Sequence, residues 1–232
     1  MIYAVIAAGG IGSRMGSETP KQYIKIGGKE IIRLTAEKFA KVNRINKVII
    51  LCPEDWVDFT SDLFNDEKIT VLCGGTTRNE TLMKAIDFIE ESYGLTDDTV
   101  IITHDAVRPF VTAEIIENNI DAVLKFGATG TAIPATDTIF ESQNNSTISS
   151  VPDRSKLYQA QTPQCFKAKK LRELYNNLSQ KEKEILTDAC KIYTMKGLDV
   201  HLIRGDVSNI KITYPYDLIV AEAIIKSEKN KS

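Results

Sequence analysis

Ile2-Tyr3-Ala4-Val5-Ile6-Ala7-Ala8-Gly9-Gly10-Ile11-Gly12-Ser13-Arg14-Met15-Gly16, closed by Pro20-Lys21-Gln22, is the stretch that decides the fold. Its first five residues form a short apolar run, the pattern of a strand buried within a parallel sheet. A strand that opens into alanines and glycines lets a ligand approach the backbone, because few Cβ atoms stand in the way. The amide N–H groups of such a turn make a concave anion site. Arg14 and Lys21 place two positive charges on the same loop, which suits a nucleoside triphosphate whose phosphates take part in chemistry. The spacing Gly10-x-Gly12-x-x-x-Gly16 is one residue too long for the dinucleotide fingerprint, and no Gly-Lys-Ser/Thr follows to make a Walker loop. On its own, the loop leaves nucleotidyl transfer and plain nucleotide binding both open.

Outward from that loop, strand-like and helix-like patterns alternate. Residues 47–51, 69–72 and 99–103 are β-branched, apolar runs. Residues 31–39, 55–64, 79–89 and 115–124 carry apolar side chains at helical spacing. The alternation predicts an α/β fold, a three-layer Rossmann-like arrangement around a mostly parallel mixed sheet. Ligands of such sheets collect beyond the carboxyl ends of the strands. The glycine loop, Gly74-Gly75 and His104-Asp105 each follow a strand, so they are expected to meet at one edge. Residues 136–160 break the pattern with polar residues and short β-like pieces. They read as a projecting β-hairpin arm with Asn144-Asn145-Ser146 at its turn. Helices are expected at 169–178 and 181–196, strands at 200–203 and 210–213, a last helix at 215–225, and a solvated tail after it. Nothing splits the chain, so residues 1–232 read as a single domain with an arm insertion.

Length and composition narrow the function. The 232 residues suffice for a full core, with 43% hydrophobic and 26% charged residues. The 29 Lys and Arg nearly balance the 31 Asp and Glu, so no overall field draws the chain to nucleic acid or to a membrane surface. An anion site must therefore be built locally. Cys52, Cys73, Cys165 and Cys190 are scattered without zinc spacing and read as reduced thiols. Residues 3–8 are too short for a signal peptide's apolar region, and no run approaches the roughly 18–20 apolar residues of a membrane span. A cytoplasmic protein is expected.

Chemistry concentrates in His104-Asp105-Ala106-Val107-Arg108-Pro109-Phe110 and in Ser208-Asn209-Ile210-Lys211-Ile212-Thr213. A carboxylate at the ligand edge can hold Mg²⁺, a hard ion that binds phosphates plus one or two acids, and Asp105 is the candidate. The alternative is an Asp that caps a turn and pairs with Arg108. His104 reads as a structural hydrogen-bonding group, and His201 as non-catalytic. Lys211 is either an exposed edge position or an aimed functional cation. Arg154 fits a solvated arm residue as well as a functional one.

The glycine loop with Pro20-Lys21-Gln22, Gly74-Gly75-x-x-Arg78, His104-Asp105-x-x-Arg108-Pro109, Thr162-Pro163-Gln164, Thr187-Asp188 and Asn209-Ile210-Lys211 occur in order along the whole chain. Together they resemble the cytidylyltransferases that make CDP-methylerythritol or CDP-ribitol. Residues 158–164 and 184–192 look more like the subgroup acting on D-ribitol 5-phosphate in teichoic-acid or capsular polymer synthesis, with 2-C-methyl-D-erythritol 4-phosphate as the alternative acceptor. The resemblance implies that Ala8, Gly9, Gly10 and Gly12 shape a CTP loop, and that Gly75, Thr76 and Thr81 contact cytosine and ribose. Arg14, Lys21 and Lys211 would neutralise phosphates, Asp105 would coordinate Mg²⁺, and Arg108 would support that loop beside the nucleotide. Thr138, Arg154, Thr162 and Thr187 would line the sugar-phosphate pocket. A homodimer formed through the arm is implied, with Arg154 serving the neighbour's site. Some relatives carry an acid just before Asn-Ile-Lys; here that position is Ser208, with Asp206 two residues earlier, which leaves a second metal carboxylate in doubt. The rival readings are a nicotinamide-dependent reductase and a non-catalytic nucleotide sensor.

Overall fold

The computed structural model describes residues 1–10, 15–16 and 19–229, so Gly12 and Arg14 lie outside the described residues. Along the chain run β1 (Ile2–Ala7), a small hairpin of β2 (Lys25–Ile26) and β3 (Lys29–Glu30), α1 (Ile31–Ala40), β4 (Lys47–Cys52), α2 (Val57–Asp62), β5 (Ile69–Cys73) and α3 (Arg78–Tyr93). Then come β6 (Val100–Asp105), α4 (Ala113–Phe126), β7 (Ala128–Pro134), β8 (Tyr158–Lys167), α5 (Ala168–Asn176), α6 (Gln180–Glu184), α7 (Ala189–Met195), β9 (His201–Arg204) and α8 (Pro215–Lys229). Seven strands form one sheet in the order β5-β4-β1-β6-β8-β7-β9. β1 lies parallel to β4 and β6, β4 to β5, and β7 to β9. β8 runs antiparallel to both β6 and β7, which makes the sheet mixed but mostly parallel.

The apolar run that opens the sequence sits at the centre of this sheet, with Tyr3, Ala4, Val5 and Ile6 all buried. Successive side chains of a strand point to opposite faces. Ala4 and Ile6 accordingly pack with Ile32, Ala36 and Phe39 of α1 and Ile116 and Ile120 of α4. Tyr3 and Val5 pack with Leu82, Ile86 and Ile89 of α3 and Leu171 of α5. A third cluster seats α8 through Ala221 against Ile26, Ile31, Phe110 and Ile212. Burying a Leu or Ile side chain stabilises by about 1.5–3 kcal/mol, so the double-sided packing of β1 fixes where its glycine loop emerges.

The second half departs from the sequence expectation in four places. β7 and β8 are strands without a strand signal, and β8 takes the far end of the expected arm into the sheet. Its polar Gln161, Thr162 and Gln164 are nevertheless buried, and hydrogen bonds make that tolerable: Gln161 Nε2 donates to Asp206 O at 2.8 Å and Gln164 Nε2 to Asp188 Oδ2 at 3.1 Å. The remaining arm is no β ladder; among its described residues one isolated bridge joins Glu141 and Ser150. Its turn is as expected, with Asn145 at φ 57° and Asn144 Oδ1 accepting from the Ser146 and Thr147 amides. The helix expected over 181–196 breaks into α6 and α7, because Asp188 caps α7 by accepting from Lys191 N at 3.0 Å. Residues 210–213 form no strand; Ile212 N bonds to Val107 O at 3.0 Å, and the segment passes the site as coil. Among the described residues no helix is long and apolar enough to cross a membrane.

Candidate active site

Three loops at the carboxyl ends of β1, β5 and β6 enclose a cleft of about 400 Å³. Its lining includes Ala8, Gly9, Gly10, Lys21, Gln22, Gly75, Thr76, Thr77, Arg78, Thr81, Asp105 and Lys211. The meeting of the glycine loop, Gly74-Gly75 and Asp105 is the convergence expected from strand order.

The first loop is held from below. Gln22 is buried and donates from Nε2 to Ala8 O at 2.6 Å, pinning the loop to the short Lys21–Tyr23 turn. Tyr23 anchors that turn by stacking on Trp56 at 4.2 Å and by a 2.8 Å hydroxyl contact with Thr60. Lys21 is thereby placed on the cleft wall with its side chain mostly covered.

The second loop is shaped by close approach. A Cβ on Gly75 would meet Glu80 Cβ at 2.7 Å and Thr81 N at 2.8 Å, so only glycine fits. Gly75 N donates to Thr81 Oγ1 at 2.9 Å, and Thr81 Oγ1 donates to Thr77 O at 2.8 Å. Thr77 starts α3 with a reciprocal capping box to Glu80, and Thr76 also bonds the Glu80 carboxylate. The capping of α3 and the shape of the Gly75–Thr81 loop are one structure.

The third loop carries the charge centre. Asp105 is buried, and its Oδ1 pairs with Arg78 Nη1. Its Oδ2 lies 3.0 Å from Lys211 Nζ and 3.5 Å from Arg108 Nε. Burial alone would raise the Asp105 pKa; the charges of Arg78, Lys211 and Arg108 reverse that and hold it well below the usual carboxylate range. Behind it, His104 is fully buried with Nε2 3.0 Å from Arg108 O. A carbonyl only accepts, so Nε2 carries the proton and Nδ1 accepts from Thr162 Oγ1 at 3.0 Å. The same Thr162 oxygen accepts from Asp105 N at 3.1 Å. Burial pushes the imidazole pKa down to about 4, so His104 is neutral around pH 7.

The expected residues divide into two groups. Ala8, Gly9, Gly10, Lys21, Gly75, Thr76, Thr81, Asp105 and Lys211 meet in the cleft. Arg108 is instead buried away from the lining, where Nη1 donates to Asn209 O at 2.7 Å and Nη2 to Ala160 O at 3.3 Å. It buckles the Asp105 loop to the coil that carries Lys211. Thr162 is likewise buried behind Asp105. Thr138, Arg154 and Thr187 are exposed and do not line the cleft of their own chain. Arg154 Nη1 donates to Thr136 O at 2.8 Å. Asp206 turns its carboxylate onto Ser208, with 2.7 Å and 2.6 Å contacts, and stays outside the cleft.

Sequence reading assigns no role to Gln22, Arg78 or Asn209, although each lies within a quoted motif. Asn209 is buried and donates to Thr162 O at 2.9 Å and Gln161 Oε1 at 3.2 Å, so it locks the Lys211 coil onto β8. A polar residue inside each motif is the available signal, but its partner lies far away in sequence. Among the described residues no cluster of three or more His, Cys, Asp or Glu side chains is arranged to hold a metal.

Residues 2–227 match the family described as IspD, 2-C-methyl-D-erythritol 4-phosphate cytidylyltransferase. Among solved structures, the chain is similar to the 4-diphosphocytidyl-2C-methyl-D-erythritol synthase of Anaerococcus prevotii, with 28% identity over 97% of this chain and 96% of that one and a TM-score of 0.80. It is also similar to the 2-C-methyl-D-erythritol 4-phosphate cytidylyltransferase of Francisella tularensis, with 28% identity, coverage of 96% and 98%, and a TM-score of 0.81. The Thermus thermophilus protein of the same name, at 24% identity and a TM-score of 0.75 over 97% of this chain and all of that one, shares the fold. The chain therefore belongs to the 2-C-methyl-D-erythritol 4-phosphate cytidylyltransferase family and is a nucleotidyltransferase.

Proposed function

We propose that this cytidylyltransferase joins CTP to a short polyol phosphate, giving a CDP-alditol and pyrophosphate. The observation that carries the reading is that Lys21 and Lys211 line one cleft together with the Asp105 carboxylate, which Lys211 contacts, and with the Gly75–Thr81 loop. The nucleophile is a phosphate oxygen of the acceptor. With a second pKa near ~6, a phosphate monoester is largely dianionic at neutral pH, so no general base is required. The acceptor oxygen bonds to the α-phosphorus as the bond to the β-phosphate oxygen breaks, and pyrophosphate leaves with that electron pair. Lys21 and Lys211 oppose the repulsion between the two anions and stabilise charge on the leaving group. Arg14, from the same loop, is assigned the same role by the resemblance.

Mg²⁺ fits the donor set through Asp105, since this ion needs only one or two carboxylates when phosphates and water complete its shell. Lys211 is 41% exposed on a coil and can leave Asp105 Oδ2 for a phosphate. When bound, the ion supplies Lewis-acid neutralisation of the triphosphate.

The family match and the named neighbours support 2-C-methyl-D-erythritol 4-phosphate as acceptor ahead of D-ribitol 5-phosphate. The ribitol reading keeps one support, the character of residues 158–164 and 184–192. A single competition assay separates them: CTP with equal amounts of both acceptors, products identified by mass. CDP-methylerythritol as the main product supports the first reading, and CDP-ribitol the second. The exposed apolar residues of the arm, Phe140, Ile148 and Val151, support a homodimer built on it, with Arg154 and Thr138 offered to the neighbour's site. A monomer in sedimentation would refute that sharing.

A further inference from the structure

We propose that Arg78 is a positioning residue for cytidylyl transfer: it clamps Asp105 Oδ1 and leaves Oδ2 as the oxygen that serves the phosphate end. The proposal rests on the transferase reading above and adds a role for a residue to which neither motif nor family likeness gave one.

Three cations share the Asp105 carboxylate, and they differ in freedom. Arg108 is buried and already committed to Asn209 O and Ala160 O. Lys211 reaches Oδ2 from a coil with its side chain 41% exposed. Arg78 is the first residue of α3, inside the Thr77–Glu80 capping box and three residues after Gly75, whose neighbours leave no room for a Cβ. Its backbone is therefore fixed by the nucleotide loop. Its guanidinium is spent on Asp105: Nη1 makes the ion pair, while the buried Nη2 has no hydrogen-bond partner among the described residues. The Asp105 backbone is fixed from the other side by Thr162. A carboxylate held at its amide and at Oδ1 has one oxygen left to exchange, and its exposed partner is Lys211. Arg78 thus ties the loop implied to hold cytosine and ribose to the group that faces the phosphates.

The test is a double-mutant cycle on pyrophosphate release, with Arg78→Met, Arg78→Lys, Asp105→Asn and Arg78→Met/Asp105→Asn, plus calorimetric CTP affinity without acceptor. Misplacing a group near the reacting atoms by about 1 Å can lower the rate about 10²-fold, so Arg78→Met is expected to lose about that in kcat with acceptor KM little changed. Arg78→Lys should recover about 10-fold of the loss, because the charge returns without the fork. The double variant should fall within about 3-fold of Asp105→Asn alone, since Arg78 acts through that carboxylate. Losses that multiply, or a raised acceptor KM at unchanged kcat, would overturn the proposal. If Arg78→Met does not fold, the cycle closes with Arg78→Lys, Asp105→Asn and Arg78→Lys/Asp105→Asn, and the same outcomes decide it. A wild-type protein that releases no pyrophosphate with either acceptor overturns the transferase reading, whereas wild-type turnover with multiplying losses overturns this proposal alone.

Discussion

Lowering the pH from 7 to 4.5 should destabilise this protein chiefly through His104. The imidazole is fully buried, with Nε2 donating to Arg108 O and Nδ1 accepting from Thr162. Burial, reinforced by the positive charges of Arg108 and Arg78, pushes its pKa from an ordinary 6.5 to about 4, although the Arg108 carbonyl and Asp105 pull the other way. Between those values the unfolded chain binds the proton and the folded chain does not. Stability therefore rises with pH across the window and is lost as pH falls from about 6.5 toward about 4. A gap of about 2.5 pH units, at ~1.4 kcal/mol per unit, amounts to about 3 kcal/mol over the full window. That is a large share of the roughly 5–15 kcal/mol typical of a folded domain. Asp105 and the paired Glu37, both held below their usual ranges, begin to lose their contributions as pH falls through the ordinary carboxylate values of 3.8 and 4.5, so the loss above about pH 5 falls chiefly to His104. Urea unfolding at pH 7, 6, 5 and 4.5, with the His104 ring followed by NMR, measures both quantities. A His104 resonance that titrates near 6.5, or a stability constant to within about 0.5 kcal/mol, would refute the reasoning.

Other perturbations separate framework from chemistry. Thr162→Val removes one hydroxyl that serves both His104 and Asp105; stranding buried groups at about 1–3 kcal/mol each should lower unfolding stability clearly, while Thr162→Ser keeps both bonds. Equal unfolding curves for the two variants would contradict that bridge. Gly75→Ala should lower CTP affinity at least about 10-fold by forcing apart the loop and the start of α3, and calorimetry with unchanged affinity would disprove the close-packing argument. Lys21→Ala and Lys211→Ala should each lower kcat about 10²–10³-fold with the circular-dichroism spectrum retained. A variant with wild-type turnover removes that lysine from the mechanism.

What is legible in the sequence follows from how burial writes itself into residue types. β1, β4 and β6 are buried inside the sheet, and the edge strand β5 packs Ile69 and Val71 on one face and Leu72 on the other, so their apolar, β-branched runs announce them. β7 and β8 stay hidden because their buried positions are polar or small: Thr129, Gly130, Thr131, Gln161 and Gln164. Thr131 Oγ1 bonds to Pro163 O, and Asn119 joins Thr129 and Thr131, so polar groups fill a core that hydropathy cannot signal. Asp188 falls inside a helix expected from periodicity although its side chain suits an N-cap, which is where the structure puts it. Gly9, Gly10, Gly75 and Asp105 are legible because each lies at or just after the carboxyl end of a strand. Arg108, Thr162 and Asn209 are less so, because supporting roles depend on partners more than forty residues away.

The most direct measurement is pyrophosphate release from CTP and Mg²⁺, with and without 2-C-methyl-D-erythritol 4-phosphate or D-ribitol 5-phosphate. Cytidylyl transfer through the two lysines predicts release that depends on one of these acceptors and falls with the Lys21 and Lys211 variants. Nucleotide binding without acceptor-dependent release would contradict it.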